Sequence, residues 1–482
     1  MTEKLPIDPS TPTEDNRPPV TSSMRHFVSP GIFLFIDQLI IAAGGWLFWI
    51  MIPKFTTTSD IGLATSVYSL VVVISTITQL GLEYPLLKKS SFLGSKIVGT
   101  IIVIELSITA ASIVPMFFIF DIIYQVEYTF IWLAIGILMF SSLNFVARFA
   151  LLGMSGTKTV LALDAVGTAV KFTAGIALVS NGYGATGILL AFALQALVIM
   201  IGSLIFTGRL VELRFGKFSI IRETLKDALV NSPSKLSTML VVSLSVVLLT
   251  SYGIGDGEVG IFYIAVMVSI VVGSFSSSLA YMSIPASSKL KTDFSSGSLR
   301  LGLAFTAPII AALIVGPNTI LSIIGEEYTN ANNVLIVLGL AVLPSVILSN
   351  AVSKFNNLNK PSILVIIGTV RIVSFLMGFY LLVPLYGIVG ASYAILISFA
   401  ISAIISLFWS ERILLKYIGM AVLSITIGVG AGLLSQIIVG TSSLVAISVA
   451  VLMAFVVVFG LRFVTFREIV GIINMTRKQT DS

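Results

Sequence analysis

The 482-residue sequence has no cysteine and a single histidine, His26. The first absence removes disulfides, thiolate metal sites and thiol nucleophiles. The second removes zinc sites, which draw several imidazole or thiolate ligands together. Charge is scarce as well. Asp, Glu, Lys and Arg make up 10% of the chain, against roughly 25% in soluble domains. That is too little to cover the two or three soluble domains a chain of this length would form. No phosphate loop, serine elbow or dinucleotide fingerprint stands out, and no long polar loop offers room for a catalytic centre. The expectation is a protein that is not an enzyme and uses no metal or cofactor. The net charge of +6 does not point to nucleic acid, because the basic residues are scattered through short loops with no dense basic run. His26, beside the first apolar run, reads as an interfacial polar residue.

Apolar residues stand where charge is missing. They form 56% of the chain and fall in runs of about 18 to 25, the length that crosses a hydrocarbon core of roughly 30 Å. The first 23 residues are polar and rich in Pro, Thr and Asp. They cannot bury a core and read as a disordered tail, and they lack the basic start and short apolar stretch of a secretory signal. Fourteen spans follow, at 29–52, 60–87, 96–120, 129–152, 159–180, 184–206, 222–250, 257–282, 299–315, 332–353, 361–383, 387–409, 414–439 and 442–461. The fold class is therefore an all-α polytopic membrane protein. Pro115, Pro308 and Pro344 are expected to bend their helices.

The cations support this count. Numbering the connections alternately puts all but five of the 28 Lys and Arg residues on one side. Lys54 lies on the other side, and Arg148, Lys171, Lys235 and Arg371 lie inside spans. Cytoplasmic loops hold the Lys and Arg, so both termini are expected in the cytoplasm of a multi-pass cell-membrane protein. An internal repeat also emerges. Asp60-Ile61-Gly62 opens the second span and Glu258-Val259-Gly260 the eighth. Gly182-Tyr183-Gly184-Ala185-Thr186-Gly187 precedes the core of the sixth span, and Leu385-Tyr386-Gly387-Ile388-Val389-Gly390 that of the twelfth. The offsets of 198 and 203 residues fit two six-helix halves of like orientation, related by an axis along the membrane normal.

These motifs, with small residues such as Ala191 and Ala394 after them, resemble the multidrug/oligosaccharidyl-lipid/polysaccharide exporter superfamily. Within it the chain looks most like the polysaccharide-biosynthesis oligosaccharide flippases. The resemblance covers nearly the whole chain after the tail. It implies two six-helix lobes in a V shape around a central cavity, plus two C-terminal helices. The expected parts are a cytoplasmic tail at 1–23, an N-terminal lobe at 24–207 and a cytoplasmic linker at 208–221. A C-terminal lobe at 222–410, two extra helices at 411–465 and a cytoplasmic tail at 466–482 follow.

Ionisable groups inside spans are costly and mark function by default. Arg148 and Asp164 each lie about eight residues from the middle of the turn at 153–158, roughly 12 Å at 1.5 Å per residue. They reach equal depth on adjacent antiparallel helices, as a structural ion pair or as part of a proton or substrate site. Lys171, thirteen residues past Lys158, and Arg371, eleven past Lys360, approach the bilayer midplane on the fifth helix of each half. A guanidinium suits phosphate oxygens. Arg371, with no acid nearby in sequence, is thus the first candidate for substrate contact, and Lys171 and Lys235 are further cavity cations. Asp37, Glu105 and Asp164 are candidates for coupling to protons or sodium. Glu83, near a helix end beside Lys88, reads as interfacial.

The function expected is alternating-access flipping of a lipid-linked oligosaccharide or polysaccharide precursor to the outer leaflet. Partners would be that substrate, membrane lipids, and glycosyltransferases or a polymerase of the same pathway. A cation-coupled multidrug exporter of the same superfamily is the alternative. Asp37 favours it, because the resemblance implies coupling acids in the first lobe; Arg371 and Lys171 oppose it. Flippases of lipid-linked peptidoglycan precursors favour arginines in the first two spans, which have none here. A non-transport component of polysaccharide assembly is a further reading.

Overall fold

The computed structural model describes residues 20–79, 81–83, 86, 95–154, 156–210, 218–290, 295–358, 360–410, 412–440 and 442–463, and among them there is no strand. The first six long helices are α1 (Val20–Met51), α2 (Thr58–Gln79), α3 (Ser95–Phe118), α4 (Tyr128–Gly153), α5 (Thr157–Ser180) and α6 (Gly184–Leu210). Then come α7 (Phe218–Ser251), α8 (Asp256–Leu290), α9 (Ser295–Val315) and α10 (Asn332–Asn357). The stretch Pro361–Leu407 has 47 residues and breaks at Gly387, where φ is 54°. A straight helix of that length would run roughly 70 Å, twice what a bilayer needs. It is two helices, α11 before the break and α12 after it. The last described helices are α13 (Arg412–Val439) and α14 (Ser443–Gly460).

By length and composition, twelve helices can cross a membrane, Pro361–Leu407 counted once. In α7 the apolar stretch is the shorter Val241–Ser251, after basic first turns. Helix is the answer lipid demands, because every backbone N–H and C=O must find its partner within the segment. The same internal bonding lets a helix run on into the aqueous interface. So α1 already begins at Val20, inside the stretch expected to be tail, and α7 begins at Phe218, inside the expected linker. The remainder of those stretches, 1–19 and 211–217, and the C-terminal tail at 466–482 lie outside the described residues.

Apolar side chains gain little by leaving lipid for a helix interface, so close packing of small residues takes over. The repeat shows where. A methyl group on Gly175 of α5 would stand 3.3 Å from Ala191 Cβ of α6, and one on Gly378 of α11 would stand 3.2 Å from Ala394 Cβ of α12. Both pairs are related by the 203-residue offset that relates Gly184 to Gly387. Gly184 and Gly387 themselves take positive φ, 45° and 54°, where a side chain is strained. The repeated turn therefore exists to fold the fifth helix of each half back onto the sixth.

Within the first half α5 packs on α1 and α6, and α4 on α3 and α6. Within the second, α10 packs on α8, α9 and the α11–α12 stretch, which also covers α7. Helices α13 and α14 pack on each other and on α9. There Gly428 and Gly432 of α13 fit against Ala446, Ala450 and Ala454 of α14.

Candidate functional site

Three helices of the first half bring together Asp37 (α1), Arg148 (α4) and Asp164 (α5). Arg148 Nη2 donates to Asp37 Oδ2 at 2.8 Å, and Nη1 donates to Asp164 Oδ2. Both acids are buried, and the guanidinium is partly exposed. Asp37 Oδ1 is buried with no hydrogen-bond partner among the described residues. Two carboxylates thus share one guanidinium, with one acceptor oxygen left over. Nearby, Ser203 of α6 donates to Asn144, one turn before Arg148, at 2.9 Å. Glu105 of α3 is separate. It is buried and accepts a hydrogen bond from Thr78 of α2 at 3.4 Å, and one turn on, Thr109 and Ser142 pair at 2.8 Å.

Lys171 is 7% exposed. Among the described residues it makes no ion pair. Its ammonium lies 5.4 Å from the ring centre of Phe48 and 5.1 Å from that of Phe192, the geometry of a cation–π contact. Asp164, seven residues before Lys171 on the same helix, is engaged by Arg148.

In the second half Arg371 is 1% exposed, the bulkiest of the fully buried side chains, and its guanidinium lies 5.6 Å from the ring of Phe399 on α12. Each half thus sets a cation of its fifth helix against a ring of its own sixth helix. These are ring contacts within a half, where sequence reasoning placed the two cations across one cavity. The side chains of Lys235 and His26 lie outside the described residues. Lys354, which the sequence suggested was a loop cation, is buried near the end of α10. Its neighbours tie α10 to α8 and α9: Ser353 donates to the Ala280 carbonyl and Asn350 to the Ser295 carbonyl, both at 2.8 Å.

The two halves meet where α2 and α8 begin. The repeated acidic-x-Gly motifs face each other there. A methyl group on Gly62 would come within 1.7 Å of the Asp256 carbonyl oxygen, and one on Gly260 within 2.2 Å of the Thr58 carbonyl oxygen. Only glycine lets the two backbones touch. Ser66 of α2 and Thr250 of α7 pair through their hydroxyls at 2.7 Å, and the rings of Trp49 (α1) and Tyr263 (α8) meet edge to face at 5.0 Å. Asp60 serves the first half itself. It accepts from the hydroxyls of Thr56 and Thr57 at 2.7 and 2.8 Å and, more loosely at 3.4 Å, from the Ala185 N–H at the start of α6. Towards the other end of α7, fully buried Ala228 joins Leu82, Leu86 and Val98 of the first half in one apolar cluster. The halves therefore touch at two levels.

Twelve or more spanning helices, a twofold repeat and a seam between the repeats define a polytopic helical membrane protein. The chain has the fold of the MOP superfamily. Neither a family model nor a curated protein matches its sequence, so the likeness rests on structure. A protein described as the lipid II flippase MurJ, in an inward closed conformation, aligns with a TM-score of 0.69, covering 89% of this chain and 98% of its own at 15% identity. A multidrug resistance MATE family transporter of the MOP superfamily aligns in its outward-facing conformation with a TM-score of 0.55, covering 82% of this chain and 96% of its own at 15% identity. An inward-facing conformation of such a transporter gives 0.53, covering 79% and 95% at 16% identity.

Proposed function

We propose that this protein is a membrane transporter that carries a phosphate-bearing, lipid-linked saccharide across the bilayer. The observation that carries the reading is the pair of buried cations, Lys171 and Arg371, one on the fifth helix of each half. Burying a cation in the membrane is costly, and the rings against Lys171 return only part of that cost. A diphosphate headgroup entering the space between the halves would offer phosphate oxygens that suit both an ammonium and a guanidinium. The overlap with a protein named as a lipid flippase supports the same direction. On this reading the Lys/Arg-rich side is cytoplasmic, and the seam of Gly62 and Gly260 faces outward.

The Asp37–Arg148–Asp164 cluster supports coupling. Two carboxylates against one guanidinium leave room for one further positive charge, a proton or a monovalent cation, and Glu105 offers a second protonatable group. That surplus is also the observation that favours the cation-coupled exporter. The two readings part on cargo. Purified protein in liposomes should move a fluorescent polyprenyl-diphosphate sugar between leaflets, and Arg371→Gln should slow this roughly tenfold or more while thermal stability and yield are kept. Arg371→Lys should restore part of the rate, because it keeps the charge and loses the fork. If Arg371→Gln moves the lipid at the full rate, the anionic-cargo reading fails. If the protein exports cationic drugs and leaves the lipid in place, the exporter reading replaces it.

A further inference from the structure

We infer that Lys171 and the rings around it form a latch that responds to a phosphate-type anion by loosening the seam between the two halves. The inference rests on the transporter reading and deepens it by assigning how cargo is sensed. Three observations carry it. First, Lys171 is more than nine-tenths buried, and among the described residues its ammonium meets ring faces and no charged partner. The buried carboxylates of the first half, by contrast, have donors: Asp37 and Asp164 are on Arg148, and Glu105 is on Thr78. A ring quadrupole attracts a cation less strongly than a charged oxygen does. A phosphate oxygen that reached this ammonium would draw it off Phe48 and Phe192.

Second, those two rings run without a gap into the seam. Phe48 meets Trp49 at 5.1 Å, and Trp49 meets Tyr263 of the other half at 5.0 Å. Phe192 stacks on Tyr68 at 4.1 Å, and Tyr68 lies two residues past Ser66, which bonds Thr250. One cation therefore sits on connected rings that reach the contacts between the two halves. Third, that closure can be undone by small displacements. Its backbone contact at Gly62 and Gly260 is van der Waals contact of facing carbonyls and glycines, and beside it lies the Ser66–Thr250 hydroxyl pair. Packed interfaces of this kind switch between discrete arrangements rather than deform smoothly. Anion occupancy at Lys171 would bias the open arrangement in proportion to its differential affinity.

The cysteine-free sequence makes the test direct. Ser66→Cys and Thr250→Cys together report closure of the seam, through the rate of disulfide formation under mild oxidant. The protein is placed in phosphatidylcholine liposomes alone, with dissolved inorganic pyrophosphate, or with a polyprenyl diphosphate in the bilayer. Crosslinking should slow roughly fivefold or more with at least one of the two anions. Slowing by the lipid alone assigns the source as a lipid headgroup, and slowing by pyrophosphate as well assigns a site open to the aqueous phase. Lys171→Met should abolish the response, Lys171→Arg should keep it, and Trp49→Leu, which breaks one of the ring connections, should weaken it with the lysine in place. Thermal midpoints within the parent's range show that each variant is folded. An unchanged crosslinking rate with both anions overturns the latch, and so does equal slowing in Lys171→Met. Flipping of the labelled lipid by the unmodified protein is measured alongside. Transport without a latch response removes this inference and leaves the transporter reading, whereas no transport removes that reading itself.

Discussion

At the scale of single residues, the chemistry of this protein is the handling of a few charges held away from water. Arg148 is the pivot of one such group, because it satisfies Asp37 and Asp164 at once. Removing one partner of a buried ionic group strands the rest and typically costs about 3–5 kcal/mol. Arg148→Ala should therefore lower the thermal midpoint of purified protein sharply, and adding Asp37→Asn and Asp164→Asn to it should recover part of the loss. A triple variant no more stable than Arg148→Ala alone would remove electrostatics from the account. Sequence spacing brought Arg148 and Asp164 to one depth, because both are counted from the same short turn. It could not bring in Asp37, 111 residues away, since the contact of α1 with α4 and α5 is a matter of tertiary packing. Lys171 and Arg371 were legible as intramembrane cations, but not the rings that hold them. Phe48, Phe192 and Phe399 are unremarkable in a chain with 31 phenylalanines.

At the scale of helices, the repeated motifs have separable jobs. The turn glycines at 184 and 387 reverse the chain, and Gly175 with Gly378 lets the fifth and sixth helices close up. Gly62 and Gly260 do something else: they let two different halves touch. Gly62→Ala would put a methyl group 1.7 Å from a carbonyl oxygen, so α2 and α8 must separate. Overpacking of this kind costs about 1–3 kcal/mol. The expected outcome is a slower Ser66→Cys/Thr250→Cys crosslink in Gly62→Ala and in Gly260→Ala. The change Gly45→Ala, where a methyl group meets nothing within 4 Å, should leave the rate alone. Equal crosslinking in all three would show that the seam does not depend on the glycine contact. Asp60 differs from its repeat partner in a way the sequence conceals. Asp60 bonds the start of α6, whereas Glu258 is exposed.

At the scale of the molecule, the proposal of cytoplasmic termini follows from the Lys and Arg alternation. It is checked by single cysteines at Ser23, Gly216 and Ser482 in the cysteine-free chain. A membrane-impermeant maleimide should reach all three only after the membrane is opened; labelling of any one in intact cells would overturn the orientation. The fold likeness to a lipid flippase extends over 89% of the chain. The first two spans nevertheless lack the arginines that the resemblance associates with peptidoglycan-precursor flippases. Shared architecture therefore does not set the cargo.

What the sequence determined by itself is the all-helical, multi-spanning architecture and its twofold repeat. Apolar length, scarce charge and glycine position are local properties, and a bilayer leaves a chain of this composition hardly any other way to satisfy its backbone. What only the tertiary structure decided is which buried groups meet. It put Asp37 on Arg148, set Lys171 on two rings, and pressed the two glycine motifs against each other across the seam. Those contacts join residues far apart in sequence, and their geometry depends on how helices cross. In lipid that crossing is fixed by close packing of small side chains and a few hydrogen bonds, not by the apolar pattern that marks the spans.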